Sequence, residues 1–219
     1  MIKSFFNNKK DVSNLQMSLT LFLVLNLVLS NILVVKSIDL FNIPLLANTC
    51  AVITFPITYI LSDTFSEVYG YKWSRITATW AFIGTIFASL LFNISIAMPG
   101  NSSWELQDAM VSILSNSPKI AFSSVIAFWL GDLANDFVFK KLKEKHKNKL
   151  FGIRAISSSI VGKYVDGFVF TFLGLSFLPL ETKLTMVLTC PFVQVIMETL
   201  LLPITYSLVN KLKNIENIS

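Results

Sequence analysis

The chain has 219 residues, 53% of them hydrophobic and only 14% charged, with a mean hydropathy of +0.65 and a net charge of +5. A soluble domain of ordinary composition is about 25% charged, so this chain lacks the charge to cover a wet surface. Its positive balance does not mark a nucleic-acid binder either, because the lysines gather in one hydrophilic loop and at the termini, where membrane topology accounts for them.

Residues 1–14 are polar, carry Lys3, Lys9 and Lys10, and lack the small-residue cleavage site of a removable signal peptide. The first apolar run, residues 15–35, has the roughly 20 residues that cross a bilayer. After a connector with Lys36 and Asp39, a second run begins near Pro44, passes Pro56 and reaches Asp63, then blends into the aromatic and basic border Tyr69-Gly70-Tyr71-Lys72. The third run spans residues 76–98, and the loop that follows, up to Ser117, contains no lysine or arginine. A fourth run covers residues 118–139, ahead of Lys140, Lys141, Lys143, Lys145, Lys147 and Lys149. The fifth covers residues 153–178 and the sixth residues 184–209, with Pro191 and Pro203 inside the latter.

Alternate loops then differ sharply in charge. One side collects fourteen lysines and arginines, from the N-terminus, Lys72 and Arg75, the lysine loop with Arg154, and the tail with Lys211 and Lys213. The other side has Lys36, Lys119 and Lys183. The positive-inside rule thus predicts an all-α integral membrane protein with six transmembrane helices and both termini cytoplasmic. Its parts are a cytoplasmic segment 1–14, a transporter domain 15–210 and a cytoplasmic tail 211–219. The lysine loop is a topology signal and an anionic-lipid contact, and His146 within it is a solvated side chain.

Charges inside three of these runs are a different matter, since each costs about 2.5–3.5 kcal/mol at a helix centre on insertion scales. Asp132 and Asp136 are four apart, and Lys163 and Asp166 three apart, so each pair shares a helix face. Ser159, Lys163, Asp166 and Phe170 continue one stripe, and Gln194, Glu198, Leu201 and Thr205 form another. In lipid such stripes face one another or water. One reading is an ion-pair network of Lys163 with Asp132 or Asp166 that fixes helix register. A substrate cavity is favoured, because acids outnumber the single intramembrane lysine.

A smaller regularity links two further runs: Thr54-x-Pro56 leads to Asp63-Thr64 with the spacing by which Thr189-x-Pro191 leads to Glu198-Thr199. Cys50 and Cys190 have neither metal nor disulfide spacing, no phosphate-binding loop occurs, and a Ser159/Lys163 dyad stands without supporting motifs. The chain is therefore not expected to be an enzyme, and no cofactor is expected.

The string Ile53-Thr-Phe-Pro-Ile-Thr-Tyr-Ile-Leu-Ser-Asp63-Thr-Phe-Ser-Glu67-Val-Tyr-Gly-Tyr71 resembles the signature of the queuosine precursor transporter family, also called the vitamin uptake transporter family. Leu130-Gly-Asp132-x-x-x-Asp136 before the lysine loop is similar to its fourth span, and Arg154-Ala-Ile-Ser-Ser158-Ser-Ile-Val-Gly162-x-x-x-Asp166 to its fifth. Two positions depart from the pattern: a glutamine is common where Asp132 stands, and Ser158-Ser159 replaces Ser-Thr. The resemblance implies uptake of 7-deazaguanine bases (cyano- or aminomethyl-deazaguanine, or queuine) across the inner membrane to feed queuosine biosynthesis in tRNA. It also implies likeness to the substrate-binding subunits of energy-coupling-factor transporters, with no ATPase module expected. The candidate substrate-binding residues are Asp63, Trp129, Asp132, Asp136, Lys163, Asp166, Gln194 and Glu198. Tyr164 and Phe168 join Trp129 as candidates for stacking on a planar base. The other partner is the lipid bilayer, and nothing in the sequence bars a homo-oligomer. A transporter or binding subunit for another vitamin or nucleobase would keep this architecture and change the pocket.

Overall fold

The computed structural model describes residues 12–145 and 151–216. In chain order these form α1 (Asn14–Leu33), a hairpin of β1 (Ser37–Asp39) and β2 (Ala47–Thr49), then α2 (Phe55–Thr64), α3 (Tyr71–Ala97), α4 (Gln107–Leu114), α5 (Ser117–Lys145), α6 (Phe151–Gly174) and α7 (Leu180–Ile215). Lys3, Lys9 and Lys10, and His146, Lys147 and Lys149 of the lysine loop, lie outside the described residues. Among those described, four stretches are long and apolar enough to cross a membrane: Asn14–Leu33, Lys72–Ala97, Gln107–Leu142 and Leu180–Ile215. Their outward faces carry exposed large side chains such as Phe22, Leu25, Phe87, Ile94, Leu188 and Leu200, as surfaces that meet hydrocarbon do.

Two of the six apolar runs differ from plain spans. α6 has 24 residues, about 36 Å at the usual rise, but Ser157, Ser158, Ser159, Lys163 and Asp166 dilute its apolar character. The second run is not one continuous helix. Residues 44–46 and 50–53 are 3-10 turns, and Ala47–Thr49 between them pairs antiparallel with Ser37–Asp39, Ile38 facing Asn48. Pro56 has no N–H and tolerates only a first helical turn, which is where α2 places it. A π-helical turn, Phe65–Tyr69, extends α2 before Gly70 turns the chain into α3 at φ +83°, a conformation that favours glycine.

Polar groups join α1 to the start of α2 away from water. Asn26 Nδ2 donates to Thr58 Oγ1 (2.7 Å) and to the Thr54 carbonyl (3.2 Å). Ser30 Oγ donates to Thr54 Oγ1 (2.5 Å), which donates in turn to the Ala51 carbonyl (2.6 Å). Where little water competes, such fully connected networks fix a unique arrangement.

α5 and α6 pack more extensively on each other than any other pair, and two glycines make this approach. A Cβ at Gly131 would sit 2.8 Å from the Gly162 carbonyl, and one at Gly162 would sit 2.9 Å from the Gly131 carbonyl. Small residues at a helix crossing let backbones touch in this way. Similarly, a Cβ at Gly167 would meet the Pro191 ring at 2.7 Å, which draws α7 against α6.

The bundle has two distinct ends. At the terminal end, Ser13 Oγ donates to Glu216 Oε1 (2.5 Å) and Tyr69 OH to the same oxygen (3.1 Å), so the start of α1, the π turn and the end of α7 meet. Burial and, next, the Glu216 carboxylate push the Tyr69 phenol up to about 12. At the hairpin end, Lys119 Nζ bonds Ser176 Oγ, and Thr189 Oγ1 donates to the Ala47 carbonyl at 2.5 Å. Buried Val34, Ala47, Ala51, Ile120, Leu175 and Met186 pack there into one apolar cluster.

Candidate functional site

The helix contacts leave a cavity of about 460 Å³ between the two ends, within the range usual for small-molecule sites. α1 contributes Leu27, Ser30 and Asn31, with Val34 just past its end, and α2 contributes Phe55, Thr58, Tyr59, Ser62 and Asp63. α5 adds Ser124, Phe128, Gly131, Asp132 and Asn135; α6 adds Ser159, Gly162, Lys163, Asp166 and Phe170; α7 adds Gln194 and Glu198. Ala51 and, from α3, Phe82 complete the wall.

The close crossings described above set the level of these groups. Asp132 follows Gly131, Lys163 follows Gly162, and Asp166 precedes Gly167, so every glycine contact carries a charged neighbour to the cavity. Lys163 Nζ lies 2.5 Å from Glu198 Oε2 and 4.4 Å from the centre of the Tyr59 ring. The alternative reading of a register pair between Lys163 and Asp132 or Asp166 thus gives way to a bridge from α6 to α7. Its cause is the Gly167–Pro191 approach, which brings Glu198 within reach of the lysine. Asp132 instead pairs with Arg75 of α3. The Arg75 guanidinium carbon lies 5.7 Å from the ring centres of both Phe128 and Trp129.

Six of the eight sequence candidates line the cavity: Asp63, Asp132, Lys163, Asp166, Gln194 and Glu198. Trp129 and Asp136 do not. Trp129 is half-exposed and meets Arg75, and Asp136 is exposed, a turn beyond Asp132 toward the lysine loop. Phe168 is half-exposed against Phe172, and Tyr164 OH reaches the Leu188 carbonyl at 3.4 Å, so neither stacking candidate faces the cavity. The aromatic faces there belong to Phe55, Tyr59, Phe82, Phe128 and Phe170. The sequence placed Phe170 on the stripe with Asp166 but did not single out the other four, nor Ser30 and Asn31 of α1, nor the ion-pair role of Arg75. Tyr59 carried a signal, one helical turn before Asp63, and Asn26, Ser30 and Asn31 interrupt an otherwise apolar run.

Chemically the site is a flat aromatic chamber with a carboxylate excess. Asp63 and Asp166 make no hydrogen bond or ion pair among the described residues, while Glu198 shares Lys163. Such a wall takes a ligand whose edge is rich in N–H donors and whose faces are planar and apolar.

Residues 49–208 match a family model described as "Putative vitamin uptake transporter". No curated protein and no solved structure matches the chain.

Proposed function

The chain belongs to the vitamin uptake transporter family of multi-pass membrane proteins, and from that premise we propose that it carries 7-deazaguanine bases across the inner membrane to supply queuosine biosynthesis. The observation that carries this reading is the Lys163–Glu198 pair in an aromatic cavity. A guanine-like edge presents, side by side, a carbonyl acceptor, a ring N–H and an amino group. Glu198 accepts from the ring N–H and the amino group, with Gln194 beside it, and Lys163 donates to the carbonyl. The ion pair (Nζ to Oε2, 2.5 Å) thus holds the acceptor and the donor that this edge requires. Asp166 and Asp63 supply further negative charge for the cation of an aminomethyl-bearing precursor, and Phe55, Tyr59 or Phe170 covers the ring faces.

The transport cycle is alternating access around this chamber, in a bundle of six crossings with both termini cytoplasmic. The Ser13–Glu216 contact supports the topology, since a chain that enters and leaves at one end crosses an even number of times. So does Tyr69, which joins that same end after α1 and α2. The hairpin end is then the outer face.

Cells unable to make queuosine precursors, expressing this chain and fed each base separately, give the test. Restored queuosine in tRNA for one base is the expected result. Absence of queuosine with every base, while the protein sits in the membrane, sinks the substrate. Glu198→Ala and Asp166→Ala are expected to lower uptake roughly ten- to hundredfold without loss from the membrane, given about 1.5–3 kcal/mol for a hydrogen bond to a charged group. Normal uptake in both variants removes the site assignment.

A further inference from the structure

A second cavity, of about 300 Å³, adjoins the main one on the side of the terminal end. The two share Ser62, Phe128, Asp132 and Asn135 as walls, and the smaller adds Ser74 and Arg75. Arg75 thus reaches from the smaller cavity to a carboxylate common to both. The pair is about three-quarters shielded, with side-chain exposures of 25% and 24%, so it opens where a ligand's polar edge takes the place of each partner. Beyond it, Ser66 Oγ donates to Ser74 Oγ at 3.2 Å, continuing a polar lining toward the terminal end.

The chemistry of the main cavity recurs here. There a cation, a carboxylate and an aromatic face come from Lys163, Glu198 and Tyr59. In the smaller cavity the same three come from Arg75, Asp132 and Phe128. A volume of about 300 Å³ is at the lower limit for small-molecule sites, enough for a bicyclic base without its sugar.

Resting on the function proposed above, we infer that the smaller cavity is a second binding station for the same donor-edged planar base on its way to the terminal face. The Arg75–Asp132 pair closes the partition between the stations and, once opened, supplies the second station's donor and acceptor. Asp132 then accepts from the ring N–H and amino group, Arg75 donates to the carbonyl, and Phe128 flanks the ring from whichever side the base occupies.

Thiol labelling in membrane vesicles tests this, with Cys50 and Cys190 replaced by alanine. Ser124→Cys reports the main cavity and Ser74→Cys the smaller one, and 7-cyano-7-deazaguanine or its aminomethyl counterpart is the probe. At ten times its Kd the base is expected to slow labelling about tenfold at both positions. Arg75→Gln is expected to abolish protection at Ser74→Cys and keep it at Ser124→Cys, whose retained protection also shows that the variant is folded. Arg75→Lys, which preserves the cation, is expected to retain part of the protection at Ser74→Cys even if the glutamine variant fails to fold. Protection at Ser124→Cys alone overturns the second station and leaves the transported base in place. Protection at Ser74→Cys that survives Arg75→Gln also overturns it, by showing remote closure. Protection at neither position removes the substrate reading and this proposal together.

Discussion

The two ends of the main cavity are bounded by different physics. At the hairpin end six apolar side chains, none more than 6% exposed, fill the space above the chamber. At the terminal end a partly exposed ion pair stands between the chamber and a second cavity. Opening an apolar plug exposes its whole area to water, at about 25 cal/mol for each Å². Opening an ion pair exchanges one set of polar contacts for another, and exposed pairs net only about 0–1 kcal/mol. The hairpin end is therefore the stiffer closure and the terminal end the one that yields with little expense.

That contrast is sharpest in stability. Leu175→Ala or Met186→Ala, each at a fully buried position, is expected to cost about 2–5 kcal/mol as lost packing plus cavity, read as a lowered thermal midpoint in detergent. Gly131→Ala and Gly162→Ala act between the two ends, because the added Cβ meets the opposing backbone below 3 Å. Overpacking of this kind costs about 1–3 kcal/mol, and since the spreading helices carry Asp132 and Lys163 apart, uptake is expected to fall along with the midpoint. The double change Arg75→Gln with Asp132→Asn is expected to move the midpoint by about 1 kcal/mol or less while leaving the terminal side of the chamber open to thiol reagents. A loss as large as that of Leu175→Ala would erase the distinction between the ends.

An effect confined to high pH lies at the clasp of Ser13, Tyr69 and Glu216. Folding raises the Tyr69 phenol from its ordinary 10 to about 12, so the neutral, donating form is the one the fold favours. Its contribution is complete below pH 10 and is lost as pH rises through about 12. Thermal midpoints taken across that window are expected to fall further for the native protein than for Tyr69→Phe, which has no phenol to ionise. Equal declines would show that the clasp does not titrate.

Much of the cavity lining was readable because charge within a membrane span is costly and tends to gather where a polar cavity receives it. Asp63 and Glu198 sit at matching distances after Pro56 and Pro191, and both reach the cavity. The same cost argument placed Asp132, Lys163, Asp166 and Gln194. It overreached at Asp136, where one further helical turn brings the side chain to an exposed position. It also overreached at Trp129, whose neighbour Phe128 takes the cavity face while Trp129 packs on Arg75. Partner choice was beyond it, since Lys163 finds Glu198 through a glycine–proline contact between helices that no spacing within one helix encodes. The fold was readable as helices long enough for lipid, but not the hairpin. An apolar run reads alike whether it coils or pairs, and Pro44 and Pro56 only said where a helix would stop.

The hairpin's tip holds backbone strain close to the apolar end of the chamber. Phe41 and Asn42 both adopt left-handed backbone angles, φ 56° and 58°, a conformation that costs an L-residue about 1–2 kcal/mol. Phe41 is 87% exposed and Leu45 75%, so packing among the described residues does little to offset that strain. The strand those residues lead into carries the Ala47 carbonyl bound by Thr189 and packs Ala47 into the apolar closure. Strain held at the tip is thus mechanically continuous with the packing over the chamber, so a turn that carries no ligand-facing side chain is tied to the wall of the cavity.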